Sequence, residues 1–260
     1  ETVWTITQAG KTIGTERVRE RLINDSQVIT SKGSLQLRGA PKFAYEQKTE
    51  VSAKTGSLVR YELRSSMIKA EATLTDTGAT LSRTYMGNSA SATIPKGASP
   101  FVALDNLVWS QYTALGRMAV SKSHAPFTIM ALVPQAQAGL EASFQPGESF
   151  TAKLDGDERL VRRGQLTVGG QLVALTYDAK TGRALRVEVT AQQFDVWIEG
   201  FKRPEEKDDD AGGYREEAVS VPAPLGALPG LLTRPDKGEG PFPVVVLLHG
   251  SGPNDRDETI

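Results

Sequence analysis

A chain of 260 residues, 39% hydrophobic and 23% charged, is long enough for one large or two ordinary globular domains. Lys and Arg (30) nearly balance Asp and Glu (31) and the signs are interspersed, which excludes a basic nucleic-acid face and a polybasic membrane patch. Cysteine is absent, excluding disulfides and thiolate chemistry, and no apolar run approaches the ~20 residues of a transmembrane helix. The first residue is Glu rather than Met, as in a processed export product or a trimmed chain; with no Cys and many short polar-faced strands, the expected location is extracytoplasmic, periplasmic or secreted.

From residue 2 to 94 the chain reads as short strands divided by turn residues. Gln8-Ala9-Gly10-Lys11, Asn24-Asp25-Ser26, Ala53-Lys54-Thr55-Gly56 and Asp76-Thr77-Gly78 are the breaks. Between them polar and apolar residues alternate, the signature of antiparallel strands with one wet face. One stretch departs from this. Leu104, Leu107, Val108, Gln111, Leu115 and Met118 recur at helical spacing behind Pro100, predicting an amphipathic helix over about 102–117 that lies across or plugs a curved sheet. Strands then resume at 127–133, 164–168, 172–177 and 183–190, with Gly169-Gly170 as a two-residue hairpin turn.

The turn Ala53-Lys54-Thr55-Gly56 returns as Ala179-Lys180-Thr181-Gly182, each followed by an alternating strand. Either the chain holds two similar β-halves flanking the helix, or hairpin turns have converged on the same residues; composition does not separate these. Residues 202–213 are acidic and end in Gly212-Gly213, reading as a solvated linker. The domains are therefore expected at 1–201, an antiparallel β accessory domain, and 214–260. Two strands surround Pro222-Ala223-Pro224, and a third, 244–248, is a Val-rich run of the kind buried on both faces.

That third strand carries a resemblance. Gly240-Pro241-Phe242-Pro243-Val244-Val245-Val246-Leu247-Leu248-His249-Gly250-Ser251-Gly252-Pro253 resembles the β3 strand and oxyanion loop of the α/β-hydrolase fold, in its bacterial esterase and peptidase-like branch. Residues 1–200 more loosely resemble the wrapped antiparallel half-barrels of bacterial envelope proteins. The overall fold expected is mainly β: an antiparallel half-barrel or meander with one helix, then the opening strands of an α/β-hydrolase sheet.

The hydrolase resemblance implies ester or amide hydrolysis by acyl transfer, with Ser251 and Gly252 supplying backbone N–H groups to an oxyanion hole and His249 shaping the loop rather than acting as base. One such donor is typically worth ~10²–10³ in rate. The nucleophile elbow, Gly-x-Ser-x-Gly, occurs nowhere in the sequence, so the resemblance implies a catalytic portion beyond Ile260 and a chain inactive alone. Its expected partners are that portion and a small ester, amide or lipid-like substrate, with no cofactor and no metal. A second function class stays open: a non-catalytic half-barrel in the cell envelope holding a lipid-like ligand or a protein partner, with Trp109 and Tyr112 lining an apolar cavity. His124, the other histidine, reads as a solvated loop residue, and Asp255, Asp257 and Glu258 as a solvated acidic tip.

Overall fold

Alternation is what builds the N-terminal part of the molecule. In the computed structural model, which describes residues 1–202, 214–223, 226–235 and 242, Arg17, Arg19 and Lys48 point to solvent, while Glu16, Val18, Tyr45 and Val51 on the same strands are buried. The chain divides into two compact units, residues 1–202 and a second within 203–258.

The first unit begins with β1 (Thr2–Gln8), β2 (Lys11–Ile23), β3 (Ser26–Leu35), β4 (Phe43–Ser52), β5 (Leu58–Ser65), β6 (Ile68–Thr75), β7 (Gly78–Tyr85) and β8 (Asn88–Pro95), each antiparallel to the next. After β9 (Phe101–Ala103), residues 104–112 run as a strap into helix α1 (Thr113–Ser121). The rest is β10 (Phe127–Val133), β11 (Ala138–Leu154), β12 (Asp157–Val168), β13 (Gln171–Asp178), β14 (Ala184–Val189), β15 (Phe194–Ile198) and the short β16 (Phe201–Lys202).

All sixteen strands form one sheet. Its order is β8-β7-β6-β5-β4-β3-β2-β1-β15-β14-β13-β12-β11-β10-β9, with β16 added on β11. Pairing of β1 with β15 joins the two meanders in the middle. The β9–β10 pair is parallel, which makes the sheet mixed. No ladder joins β8 to β9, so the sheet is not closed, although Arg83 of β7 donates to the Gln135 carbonyl oxygen at 2.9 Å and Ile94 of β8 packs on Gly139 of β11.

The helix is shorter and later than 102–117. Residues 101–103 are extended and buried on both faces, and Leu107 takes a left-handed φ of 60°, which no α-helix accommodates. Gln111 replaces the helical bonds of the strap: its side chain accepts from the Asp105 N–H (2.9 Å) and donates to the carbonyl oxygens of Asp105 (2.6 Å) and Val108 (2.8 Å). The apparent period arose because Leu104, Val108, Leu115 and Met118 are all buried, in a segment surrounded by the sheet.

The repeated turns are built alike. Ser52 N–H donates to the Ser57 carbonyl at 2.8 Å, and Asp178 N–H to that of Arg183 at 2.9 Å; Gly56 N–H bonds Ser52 O at 2.8 Å, and Gly182 N–H bonds Asp178 O at 2.9 Å. The threonine hydroxyl oxygens of Thr55 and Thr181 each accept the N–H two residues on, at 3.3 Å. Two structurally equivalent turns thus stand behind the sequence echo.

In the second unit β17 (Tyr214–Ala223) and β18 (Gly226–Pro235) pair antiparallel, register Tyr214 to Pro235. No α/β-hydrolase sheet is seen among the described residues. The strand expected at 244–248 and the stretch 203–213 lie outside them.

Candidate functional site

Register builds a buried polar cluster of side chains inside the first unit. Glu16 of β2, Gly33 of β3 and Tyr45 of β4 lie in one cross-strand row. With no side chain at Gly33, the Tyr45 ring lies over its Cα, where an added Cβ would sit 2.1 Å from a ring carbon. Glu16 itself is fully buried.

Four donors converge on the Glu16 carboxylate. Ser31 Oγ and Ser110 Oγ (2.6 Å) donate to Oε1, and the N–H groups of Trp109 (3.0 Å) and Ser110 (3.2 Å) donate to Oε2. Trp109 and Ser110 open the 3-10 turn that runs into α1, which has no side-chain cap of its own. Glu16 is therefore a helix cap delivered from a distant strand, a negative group where unpaired N–H groups and the helix dipole favour one. Gln47 donates to Ser110 Oγ at 3.0 Å and accepts from Thr49 at 2.8 Å, extending the network along β4. Burial raises the Glu16 pKa, and the four hydrogen bonds oppose that rise.

A second buried acid, Asp105, pins the other end of the strap. Its Oδ1 accepts from the N–H groups of Asn106 (3.2 Å) and Gln135 (3.0 Å). Burial pushes Asp105 up to about 6. Its Oδ2 and the hydroxyls of Tyr45 and Tyr61 are buried without a hydrogen bond of good geometry, the Tyr61 hydroxyl lying close to Asp105 and that of Tyr45 close to Glu16. Burial, with the nearby charge of Glu16 for Tyr45 and of Asp105 for Tyr61, holds both phenols well above the usual tyrosine range.

A serine hydroxyl bonded to a carboxylate invites comparison with an activated nucleophile. Ser110 is 1% exposed, however, and among the described residues no imidazole stands beside it. The cluster holds the strap; it gives a substrate no entry.

Of the residues singled out in the sequence, Trp109 and Tyr112 do meet. Their rings stack with centroids 6.4 Å apart, and Trp109 also packs on Phe194 at 5.2 Å. Trp109 is core, and its Nε1 is buried without a partner. His124 is half-buried rather than solvated, with Nδ1 3.1 Å from the Tyr177 hydroxyl. His249, Ser251 and Gly252 lie outside the described residues. An open groove of about 570 Å³ lies instead over charged residues of β2–β5, among them Arg17, Lys32, Glu46 and Arg64. Among the described residues no cluster of acids and histidines is arranged to hold a metal ion, and no helix is long and apolar enough to cross a membrane.

The Glu16 network escaped the sequence reading, yet its signal was present. Glu16 falls in phase with Val18 and out of phase with Arg17, Arg19 and Arg21, so the alternation itself turns this acid inward.

The fold is that of a β-barrel-like domain: the chain is similar to the β-barrel-like protein of a domain of unknown function, DUF1849, from Brucella abortus. The TM-score is 0.51 at 8% identity, over 78% of this chain and 94% of that one. In sequence, the chain is 35% identical over 112 residues to the esterase EstD of Thermotoga maritima, which is 43% of this chain and 21% of the esterase. The chain thus spans about a fifth of the length of that curated relative. No family model matches it.

Proposed function

We propose that this chain is the N-terminal region of an exported serine α/β-hydrolase that cleaves esters or amides by acyl transfer. The observation that carries this reading is the 35% identity to an esterase over 112 residues. The His249-Gly250-Ser251-Gly252 turn behind a Val-rich strand supports it. In this reading the N–H groups of Ser251 and Gly252 stabilise the oxyanion, His249 shapes the loop, and residues 1–202 are an accessory domain or substrate wall. The 260 residues alone lack a nucleophile elbow and are inactive.

The test is turnover of a short-chain p-nitrophenyl ester by the full gene product. Ser251→Pro removes the N–H and should lower kcat by roughly 10²–10³, whereas Ser251→Ala keeps the N–H and should leave it nearly unchanged. Absence of turnover in the full product, or equal activity of the two variants, would sink the reading.

A second reading rests on the match to nearly all of a β-barrel-like domain. In it, residues 1–202 hold a lipid-like ligand or a protein partner beside Trp109 and Tyr112. Lipid co-purifying with the protein, together with no esterase turnover, would favour it.

A further inference from the structure

The two ends of the large sheet are unlike each other. At one end β9 is three residues long and wholly buried. At the other, β8 runs for eight residues and is exposed on both faces from Asn88 to Ser91. Edge strands are normally blunted by charge, shortness or proline. From Tyr85 to Ile94 there is no charge, and the proline comes only at residue 95.

Hydrogen-bond phase shows which groups of β8 are open. Lys96 N–H donates to the Thr77 carbonyl at 2.8 Å, and the register from Gly78↔Pro95 to Tyr85↔Asn88 continues without a bulge. Residues of even number therefore bond to β7, and the N–H and C=O groups of Ser89, Ser91 and Thr93 point away from it. Among the described residues no strand pairs with that side. Pro95 falls in the same outward phase, where its missing N–H costs β7 nothing and ends the open run.

This edge is complementary to itself. An antiparallel pair centred on Ser91 sets Ser89 opposite Thr93 and Ser91 opposite its own copy, with all outward groups matched in about six hydrogen bonds. Ala90 then faces Ala92, so the other face also joins small side chains. The neighbouring hairpin turn carries Met86, 71% exposed, and Tyr85, 46% exposed, which supply apolar surface beside the joint. We propose that β8 is a homodimerisation edge, through which two copies of this chain pair about a two-fold axis at Ser91 and run their sheets together. The inference is independent of the hydrolase reading.

Sedimentation velocity of the 260-residue protein across a range of concentrations tests it. The sedimenting mass should rise from 28.0 kDa toward twice that value as concentration increases. Ser91→Pro removes an N–H that β7 does not use, and Ser91→Lys sets two ammonium groups against each other at the axis. Both variants should stay monomeric with unchanged circular dichroism, while Val59→Lys on β5 should dimerise normally. Amide exchange at Ser89, Ser91 and Thr93 should slow at least about tenfold with concentration as the edge pairs. A wild type that stays monomeric, a dimer that Ser91→Lys leaves intact, or protection of those three amides already in the monomer would each overturn the proposal.

Discussion

Gly56 and Gly182 press on the same helix from the two repeated turns. Their φ angles are +74° and +71°, and a Cβ on Gly56 would stand 2.9 Å from the Ala114 carbonyl oxygen. One on Gly182 would stand 2.5 Å from the Arg117 Cα. Helix α1 is thus gripped backbone to backbone by two equivalent turns that belong to the two meanders.

Alanine at either glycine should cost more than backbone strain alone. Gly10, with φ +72° and nothing within 4 Å of a built Cβ, isolates that strain. Gly10→Ala is expected to lose about 1 kcal/mol. Gly182→Ala should lose about 2–4 kcal/mol, because helix backbone cannot swing aside as a side chain can. Urea denaturation of the three variants checks this; equal losses would mean that the helix adjusts freely.

Removing the Glu16 carboxylate leaves four buried donors unanswered. Glu16→Ala is expected to cost about 3–5 kcal/mol. Ser110→Ala removes one donor and a bond from Gln47, and should cost about 1–3 kcal/mol. The double variant should cost much less than the sum, since both remove the same bond. Additive losses would show that the two residues act separately.

Asp105 sets a pH dependence whose sign is opposite to that of an ion-paired carboxylate. Its folded value of about 6 lies above its ordinary 3.8. The folded state therefore holds the proton more tightly, and this contribution is complete below about pH 4 and lost as pH rises through 6. Over that interval the loss should approach about 3 kcal/mol. Glu16, also raised by burial, acts in the same direction. Asp105→Asn should flatten the stability profile between pH 4 and 7 relative to wild type. A variant profile parallel to the wild type would show that Asp105 is not the source.

Tyr45 carries a buried hydroxyl close to Glu16 but without a hydrogen bond of good geometry. Tyr45→Phe should therefore change stability by less than about 0.5 kcal/mol, whereas Gly33→Ala, which drives a methyl into the ring, should cost about 1–3 kcal/mol. A loss near 2 kcal/mol for Tyr45→Phe would instead reveal a hydroxyl bonded in solution.

The meander was legible because alternation and turn residues are local signals, and the strand at Phe127–Val133 falls where the apolar run places it. The helix was displaced because burial on all sides imitates a helical period, and only the left-handed Leu107 breaks it. Pairing of β1 with β15 has no local signal at all, since it is decided by how two meanders meet. At the polar cluster the sequence showed an inward acid at Glu16, but its donors come from Ser31 on β3 and from the strap, brought together only by the fold. The echo of 53–56 in 179–182 was visible as letters; what it grips was not.

The central position of β1 bears on how the protein is made. Its seven residues are made before every other strand of the unit, yet one of their two neighbours, β15, is among the last strands of the unit to be synthesised. Until then the growing chain must carry an open seam beside Trp4 and Ile6, which are buried in the finished sheet. Sheets that wait on distant pairing fold slowly and expose apolar surface meanwhile. The seam beside β1 is thus the part of the unit that stays uncovered until β15 is available to pair.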